Sequence, residues 1–310
     1  MSGHTGRGRG AVTLALLGLL GLASPLLAAC TPPGGTATAP PATGARRATT
    51  APRETTPAEK ELPRRAEKIL TRDCMKKRGF SFWVTAELPD PVERLFPHVI
   101  DDPAWAAAHG YGRDLQERRT ALAAENPNQR YFRGLSAERK SAAVRTSNGA
   151  KPEGLEADVP GMATVRHSDE GCESEAQKSL YTDLRAWYRA RKVTEALVIA
   201  VHTAVEADPV YTKAVDRWSV CMRAEGHRYS SPAEARRTFL RGPDGNGRTE
   251  TETATAEARC ALSSRLAETA RALESARRED TDARYPTEVR DRKALEYGAL
   301  SRARTLTRNG

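Results

Sequence analysis

A nine-residue pattern occurs twice in this chain and limits how it can fold. Residues 74–82 read CMKKRGFSF, and residues 221–229 read CMRAEGHRY. Each copy places Cys-Met in the predicted last turn of a helix and a glycine, Gly79 or Gly226, at the left-handed stop. An aromatic residue follows three positions after each glycine. The repetition predicts two similar helix ends, each of which carries a cysteine.

The N-terminal segment has the three parts of a secretion signal. Arg7 and Arg9 provide positive charge, residues 11–23 are predominantly apolar, and Ser24-Pro25 would interrupt a helix. The apolar stretch is too short to span a bilayer as a helix of the mature protein. Because Arg7 and Arg9 are not adjacent, they do not form a twin-arginine pair. The segment therefore predicts export by the general secretion route.

The signal ends in Leu27-Ala28-Ala29-Cys30, which resembles the lipobox of bacterial lipoproteins at each of its four positions. The resemblance implies removal of residues 1–29 and a diacylglyceryl thioether on Cys30. Each buried CH₂ group contributes about 0.8 kcal/mol, so two acyl chains hold a protein durably where one binds marginally. We therefore expect a lipid-anchored protein on the outer face of the cell membrane. The alternative is an ordinary signal peptide that is cut elsewhere, with Cys30 incidental.

Residues 30–58 are predicted to be the lipidated cysteine and a disordered linker. The segment consists mainly of Thr, Pro, Ala and Gly and has no apolar periodicity. It cannot bury enough apolar surface to offset the conformational entropy of ordering. A spacer of this length has coil dimensions on the order of 30 Å. We expect it to hold the folded part away from the membrane.

Residues 59–310 are predicted to form an all-α domain, an array of helices stapled by disulfides. Apolar residues recur at helical spacing, and the alternating β-branched runs of a sheet are missing. Two related units, about 63–207 and 208–308, are a possible subdivision. Residues 80–84 could be a strand or a packed loop, and residues 149–170 are expected to be a long loop. The expected helices cover about 63–79, 92–96, 104–109, 114–124, 136–148, 173–207, 210–226, 231–240, 253–278 and 286–306.

Four cysteines remain besides Cys30. An even number of cysteines in an exported protein indicates two disulfides. Cys172 and Cys260 lie at or near the start of predicted long helices, whereas Cys74 and Cys221 lie at helix ends. A duplicated unit would pair Cys74 with Cys172 and Cys221 with Cys260, although crossed pairings stay open. In the chain-entropy model the two bonds stabilise by about 4–5 and about 4 kcal/mol, which compensates for a core poor in aromatic residues.

Four short motifs lie within residues 65–265. They are Cys-Met-x-x-x-Gly at residues 221–226, Gly-Cys-x-x-Glu-Ala at residues 171–176, Leu180-Tyr181 and Gly110-Tyr111-Gly112. These motifs resemble those of uncharacterised exported proteins and lipoproteins of high-GC Gram-positive bacteria, and the resemblance covers most of that range. It implies no known activity. This chain has Thr182 where the resemblance leads us to expect a glycine after Leu-Tyr.

Catalytic and metal-binding motifs are missing from the sequence. The histidines beyond the signal lie in none of the spacings of zinc hydrolases, and neither a nucleophile elbow nor a glycine-rich phosphate loop is present. Residues 244–249 (DGNGRT) begin like a calcium loop but lack its later ligands. We therefore expect no cofactor and no metal. His202 is predicted to be a half-buried histidine with a hydrogen-bond partner. The histidines are His98, His109, His167, His202 and His227.

The four tryptophans divide into two groups. Trp187 and Trp218 lie on the apolar faces of predicted helices and are expected in the core. Trp83 and Trp105 lie in less regular regions and are the candidates for a ligand-binding surface, for example a carbohydrate groove.

The charge and the signal together narrow the function classes. Removal of Arg7 and Arg9 lowers the formal charge from +9 to +7, and this excess suits anionic wall polymers or phospholipid headgroups, or simply solubilises the helix faces. Export argues against a nucleic-acid partner. We expect a non-catalytic binding or structural role at the cell envelope, with the membrane, wall polymers or another envelope protein as partners. The alternative is a cell-wall-processing hydrolase with an unfamiliar carboxylate/His site. A solute-binding lipoprotein would need alternating strands and helices.

Overall fold

The structure, a computed structural model, describes residues 53–241 and 247–309, without the side chains of residues 241, 247, 248 and 309. The predicted signal peptide, Cys30 and most of the predicted linker lie outside the described residues. The described residues form one compact unit.

Within the described ranges the chain forms thirteen helices and a single two-stranded sheet, which confirms the predicted disulfide-stapled helical array. The helices are α1 (Pro57–Lys77), α2 (Val92–Leu95), α3 (Pro103–His109), α4 (Arg113–Ala124), α5 (Pro127–Gly134), α6 (Ala137–Asn148), α7 (Cys172–Tyr181), α8 (Leu184–Glu206), α9 (Pro209–Ala224), α10 (Pro232–Arg241), α11 (Gly247–Ser263), α12 (Leu266–Arg284) and α13 (Pro286–Asn309).

The first helix begins earlier than predicted. Pro63 was expected near its start, but Pro63 lies inside α1. The start is set by a capping box in which Thr56 accepts from the Glu59 N–H and Glu59 accepts from the Thr56 N–H. This pair satisfies two backbone donors that a helix end otherwise leaves free. The last residues of the range assigned to the linker, 30–58, therefore belong to the folded domain.

The long helix predicted over residues 173–207 is two helices, α7 and α8. Thr182 separates them with φ 67° and ψ −49°, and the Asp183 N–H donates to the Tyr181 carbonyl 2.8 Å away. The Asp183 side chain then caps α8 by accepting from the Ala186 N–H at 2.9 Å. Apolar periodicity continues across this break, which is why spacing alone did not reveal it.

The helix predicted over residues 253–278 is also interrupted. Arg265 has left-handed backbone angles, φ 62° and ψ 22°, and separates α11 from α12. Cys260 was predicted near the start of a long helix. It lies instead in the last turn of α11.

The region predicted as a long loop, residues 149–170, contains a β-hairpin. Strand β1 (Gly154–Ala157) pairs antiparallel with β2 (Val165–Ser168), with Leu155 opposite His167. Leu155 and Ala157 are buried against α8. The sequence analysis also missed α5. Residues 80–84 form a packed loop without strand pairing, in which Phe80 is buried.

Helices from both ends of the chain pack together. Helix α1 lies against α13 and α7, while α13 also packs on α8. Ala66 of α1 and Leu180 of α7 share a core cluster with Ala299 and Ala303 of α13. A second cluster, around Trp218, joins α9, α11 and α12. The candidate units 63–207 and 208–308 therefore pack into one body across that boundary.

Two disulfides staple the array with the predicted pairing. Cys74 in the last turns of α1 bonds to Cys172 at the start of α7, across 98 residues. Cys221 of α9 bonds to Cys260 of α11, across 39 residues. Cys172 and Cys260 are completely buried, so each bond links a half-buried helix end to the interior.

Candidate functional site

The loop between α2 and α3 brings a buried histidine to the surface of α8. Hydrogen bonds to several helices hold this loop. Arg236 of α10 donates to the Phe96 carbonyl at 2.9 Å, His202 Nε2 of α8 donates to the Pro97 carbonyl at 2.7 Å, and the Ile100 N–H donates to Glu257 of α11 at 3.1 Å. Three helices therefore determine where the intervening His98 lies.

His98, His202 and Glu206 form a cluster that we call the histidine cluster. The imidazole rings of His98 and His202 stack with centroids 4.6 Å apart and planes 10° apart. Glu206 lies one turn after His202 on α8, and its Oε2 is 3.7 Å from His202 Nδ1. One ligand atom from each of the three residues lies within 4.8 Å of the other two. Two helical positions and a distant loop thus converge at one point.

Burial differs sharply within the histidine cluster. The His98 side chain is 5% exposed, whereas the side chains of His202 and Glu206 are 35% and 47% exposed. Neither ring nitrogen of His98 has a hydrogen-bond partner among the described residues. The nearest carboxylate beyond the cluster is that of Glu274 on α12, 3.7 Å from His98 Nε2.

Electrostatics keep His98 uncharged at neutral pH. Burial, together with the neighbouring His202 and Arg236, lowers the pKa of His98 to about 4 against the opposing effect of Glu274. A neutral imidazole carries one nitrogen lone pair that can accept a proton or bind a metal ion. The cluster therefore presents lone pairs without a competing positive charge on His98.

A cavity of about 430 Å³ opens beside the exposed side of the histidine cluster. His202 and Glu206 form part of its wall, together with Pro97, Gln116, Arg236 and Leu240. The cavity is within the size range of small-molecule sites. A small ligand could therefore reach the cluster from solvent.

A buried carboxylate lies behind the loop. Glu257 is fully buried and accepts from the Tyr111 hydroxyl at 2.7 Å. Burial raises the pKa of Glu257 to about 7, against the lowering effect of the Tyr111 hydrogen bond. Glu250, two turns earlier on α11, accepts from the Tyr111 N–H at 3.0 Å. A Cβ on Gly110 would lie 2.8 Å from Glu250 Cγ, which explains why the Gly-Tyr-Gly motif needs its first glycine.

A second Glu–Tyr pair, with Tyr181 buried and Glu67 half-buried, lies in the other half of the fold. Glu67 of α1 accepts from the Tyr181 hydroxyl at 2.6 Å. Burial raises the pKa of Glu67, and the Arg191 and Arg292 guanidinium groups oppose that rise. This pair fastens α1 to α7 and lies two turns before Cys74.

The tryptophan candidates have different environments. Trp83 is 42% exposed and packs edge-to-face on Tyr131 at 5.6 Å. Trp105 is half-buried between Phe96 and His109. They pack against different neighbours, and only Trp83 presents a large apolar face to solvent. Trp187 and Trp218 are buried in the core, as predicted.

Of the remaining sequence predictions, the one for His202 is confirmed, and those for Cys30 and the calcium-like stretch lie wholly or partly outside the described residues. His202 is half-buried and has the Pro97 carbonyl as its partner, as predicted. Cys30 lies outside the described residues, as do residues 244–246 of the calcium-like stretch. From Gly247 onward that stretch is part of α11.

The histidine cluster was not predicted from the sequence, because its histidines lie in none of the His-His spacings of zinc hydrolases. The local signal is His202 followed by Glu206 four residues later on one helix face. His98 is 104 residues away from His202 in the chain, and the fold alone brings them together.

Comparisons with protein-family models, with curated proteins and with solved structures found no match. Across the described part of the chain, every helix is too short or too polar to cross a membrane.

Proposed function

We propose that the protein is a membrane-anchored lipoprotein on the outer face of the cell membrane, with a non-catalytic binding or structural role at the envelope. The lipobox that ends at Cys30 is the observation that carries this proposal. Two disulfides support it, since such bonds form and persist in oxidising compartments outside the cytoplasm. In this proposal the residues before α1 connect the stapled domain to the lipid.

The exposed aromatic surface supports a binding role. Tyr131, on which Trp83 packs, lines a largely apolar cavity of about 290 Å³ whose wall also includes Met75 and Phe132. Aromatic groups that present one apolar face to solvent are typical of binding surfaces. Wall polymers or another envelope protein are the partners that this location offers.

Replacement of Cys30 tests the anchor. Cys30→Ser removes the only atom that can carry the thioether, so the precursor should stay unprocessed or its product should appear in the medium. The measurement is immunoblotting of membrane and medium fractions. Ala29→Ser is a matched control, since Ser is also a small side chain and leaves the cysteine in place, and it should stay in the membrane. Full processing and membrane retention of Cys30→Ser would refute the anchor.

A cell-wall-processing hydrolase is the second candidate, because the histidine cluster opens onto a cavity of about 430 Å³. Incubation with purified wall material separates the two functions. A binding protein sediments with intact walls, whereas a hydrolase releases soluble fragments, and that release should be lost in Glu206→Gln.

A further inference from the structure

We propose that His98, His202 and Glu206 bind a divalent transition metal ion of the zinc class. The site depends on the fold of α8 and the α2–α3 loop and not on the lipid. It therefore goes beyond the envelope role, and it departs from the absence of metal expected from the sequence.

The first argument is the direction of the lone pairs. His202 Nε2 lies 2.7 Å from the Pro97 carbonyl, and a carbonyl oxygen only accepts, so Nε2 carries the proton. In the neutral ring, Nδ1 then holds a lone pair that faces the Glu206 carboxylate at 3.7 Å. Two acceptors that face each other repel unless a proton or a cation lies between them.

The second argument is the hydrogen bond on the far side of the His202 ring. Metal-binding histidines almost always donate their other N–H to a carbonyl or a carboxylate, which sets the tautomer and orients the ring. The Pro97 carbonyl already fills that role for His202. The hydrogen bond that would orient His202 as a metal ligand is therefore already present.

The third argument is His98 itself. Its side chain is nine-tenths buried or more, and neither nitrogen has a hydrogen-bond partner among the described residues. A buried polar group without a partner is unfavourable, because it has lost its hydrogen bonds to water. A metal bond to one nitrogen would offset that loss, while the other nitrogen keeps its proton.

The ligand set selects the class of ion. Two imidazoles and one carboxylate suit Zn²⁺ and its neighbours, whereas Mg²⁺ and Ca²⁺ prefer oxygen ligands alone. Bonds of about 2.0–2.1 Å in a tetrahedral site place ligand atoms about 3.3 Å apart. The present spacing of up to 4.8 Å needs a contraction of up to about 1.5 Å, to which the exposed Glu206 side chain can contribute. The cavity leaves the fourth position open to water.

One carboxylate of the cluster would offset the charge of a cation. Arg236 is a positive charge near His98, and the Glu274 carboxylate beside the cluster pairs with Arg278 at 2.7 Å. The Glu206 carboxylate is therefore the negative charge that the cluster itself offers to a divalent ion.

Calorimetric titration of the full-length protein in detergent, stripped with EDTA, tests the site with Zn²⁺ as the probe. One ion should bind per chain with a Kd on the order of 1 µM or lower, and Mg²⁺ should not bind. His202→Gln and Glu206→Gln should each raise the Kd at least about tenfold. Circular dichroism checks that both variants are folded, and Glu206→Gln changes only a half-exposed surface residue.

His109→Gln is the matched control. His109 Nδ1 lies 2.8 Å from Asp114, so this variant removes another histidine beside a carboxylate but leaves the histidine cluster intact. Its Kd should equal that of the wild type. Loss of binding in His109→Gln, unchanged binding in both cluster variants, or no saturable binding in the wild type would overturn the site.

Co²⁺ provides a readout that needs no variant. Bound in the cluster with imidazole ligands, it should show the strong visible absorption of a four-coordinate ion. An unchanged spectrum of aqueous Co²⁺ would contradict the proposal.

Discussion

The two Cys-Met helix ends share one backbone geometry. Gly79 and Gly226 have φ values of 77° and 88°. The Phe80 N–H donates to the Met75 carbonyl at 3.0 Å, and the His227 N–H donates to the Met222 carbonyl at 2.8 Å. Together with the glycine N–H bonds one step inside, these are two Schellman motifs. A six-residue pattern is therefore enough to determine how a helix ends.

Their surroundings differ. After the first cap, Phe80 packs on Met75 in a small cluster with Ala143 and Cys172. After the second cap, the equivalent position is the half-buried His227.

In the second region the apolar contact comes instead from Met222, in the cluster around Trp218. The local sequence thus determines the geometry of the cap, while long-range packing determines which core cluster each helix end contacts.

The partner cysteines sharpen this difference. Cys172 is the first residue of α7, whereas Cys260 lies in the last turn of α11. The first staple joins a helix end to a helix start, and the second joins two helix ends. The duplication therefore extends over the cap motif and not over the units it staples.

Removal of either disulfide is expected to have the largest effect on stability, and loop closure makes the loss larger for the first disulfide than for the second. Cys74→Ala/Cys172→Ala should lower the free energy of unfolding by about 5 kcal/mol and Cys221→Ala/Cys260→Ala by about 4 kcal/mol, because the closed loops span 98 and 39 residues. Urea unfolding measures both. A clearly larger loss for the second pair would show that core packing, and not loop closure, dominates.

The buried carboxyl near the second staple predicts a pH effect. Burial raises the pKa of Glu257 from 4.5 to about 7, so the folded protein holds this proton more tightly than the unfolded chain. The stabilisation is complete below about pH 4.5 and is lost as the pH rises through about 7. The difference between the pKa of Glu257 in the folded and the unfolded protein corresponds to about 3 kcal/mol of unfolding free energy.

In Glu257→Gln the amide oxygen can still accept from the Ile100 N–H, while the amide NH₂ donates to the Tyr111 hydroxyl, and the titration is removed. Relative to the wild type, its free energy of unfolding should rise by about 3 kcal/mol between about pH 4 and about pH 8. Glu67→Gln in the first region should change in the same direction but by less, since Arg191 and Arg292 oppose the raised pKa of Glu67. A stability difference for Glu257→Gln that is independent of pH would refute the assignment.

Substitutions at Thr182 and Arg265, the residues that separate consecutive helices, are expected to have the smallest effect on stability. Thr182 is β-branched and has φ 67° and ψ −49°, a strained turn conformation. Thr182→Gly should raise the free energy of unfolding by about 1 kcal/mol. Arg265→Gly should gain less, about 0.5 kcal/mol, because Arg265 lies in the ordinary left-handed region and pairs with Glu268. Thermal unfolding of both variants checks the order, and destabilisation by Thr182→Gly would contradict it.

The sequence predicted what depends on short patterns. Amphipathic spacing gave the helical class, and the paired Cys-Met motifs gave the disulfide partners. The breaks at Thr182 and Arg265 escaped prediction because neither residue is a usual helix breaker and the apolar spacing continues across both. The expected glycine after Leu-Tyr did point to position 182, where the backbone needs positive φ.

Contacts between residues far apart in the chain could not be predicted from the sequence. The histidine cluster depends on hydrogen bonds from α8, α10 and α11 to one loop, and these join residues more than a hundred positions apart. No local spacing encodes such contacts. The hairpin inside residues 149–170 was missed for a similar reason, since its strands are short and gain stability by packing on α8.

Intact-mass spectrometry of the protein extracted from its native membrane tests the proposed anchor most directly. The account predicts a chain that begins at Cys30, carries a diacylglyceryl group on that sulfur and lacks the four hydrogens lost in two disulfides. A chain that still begins at Met1, or a free thiol at Cys30, would contradict it.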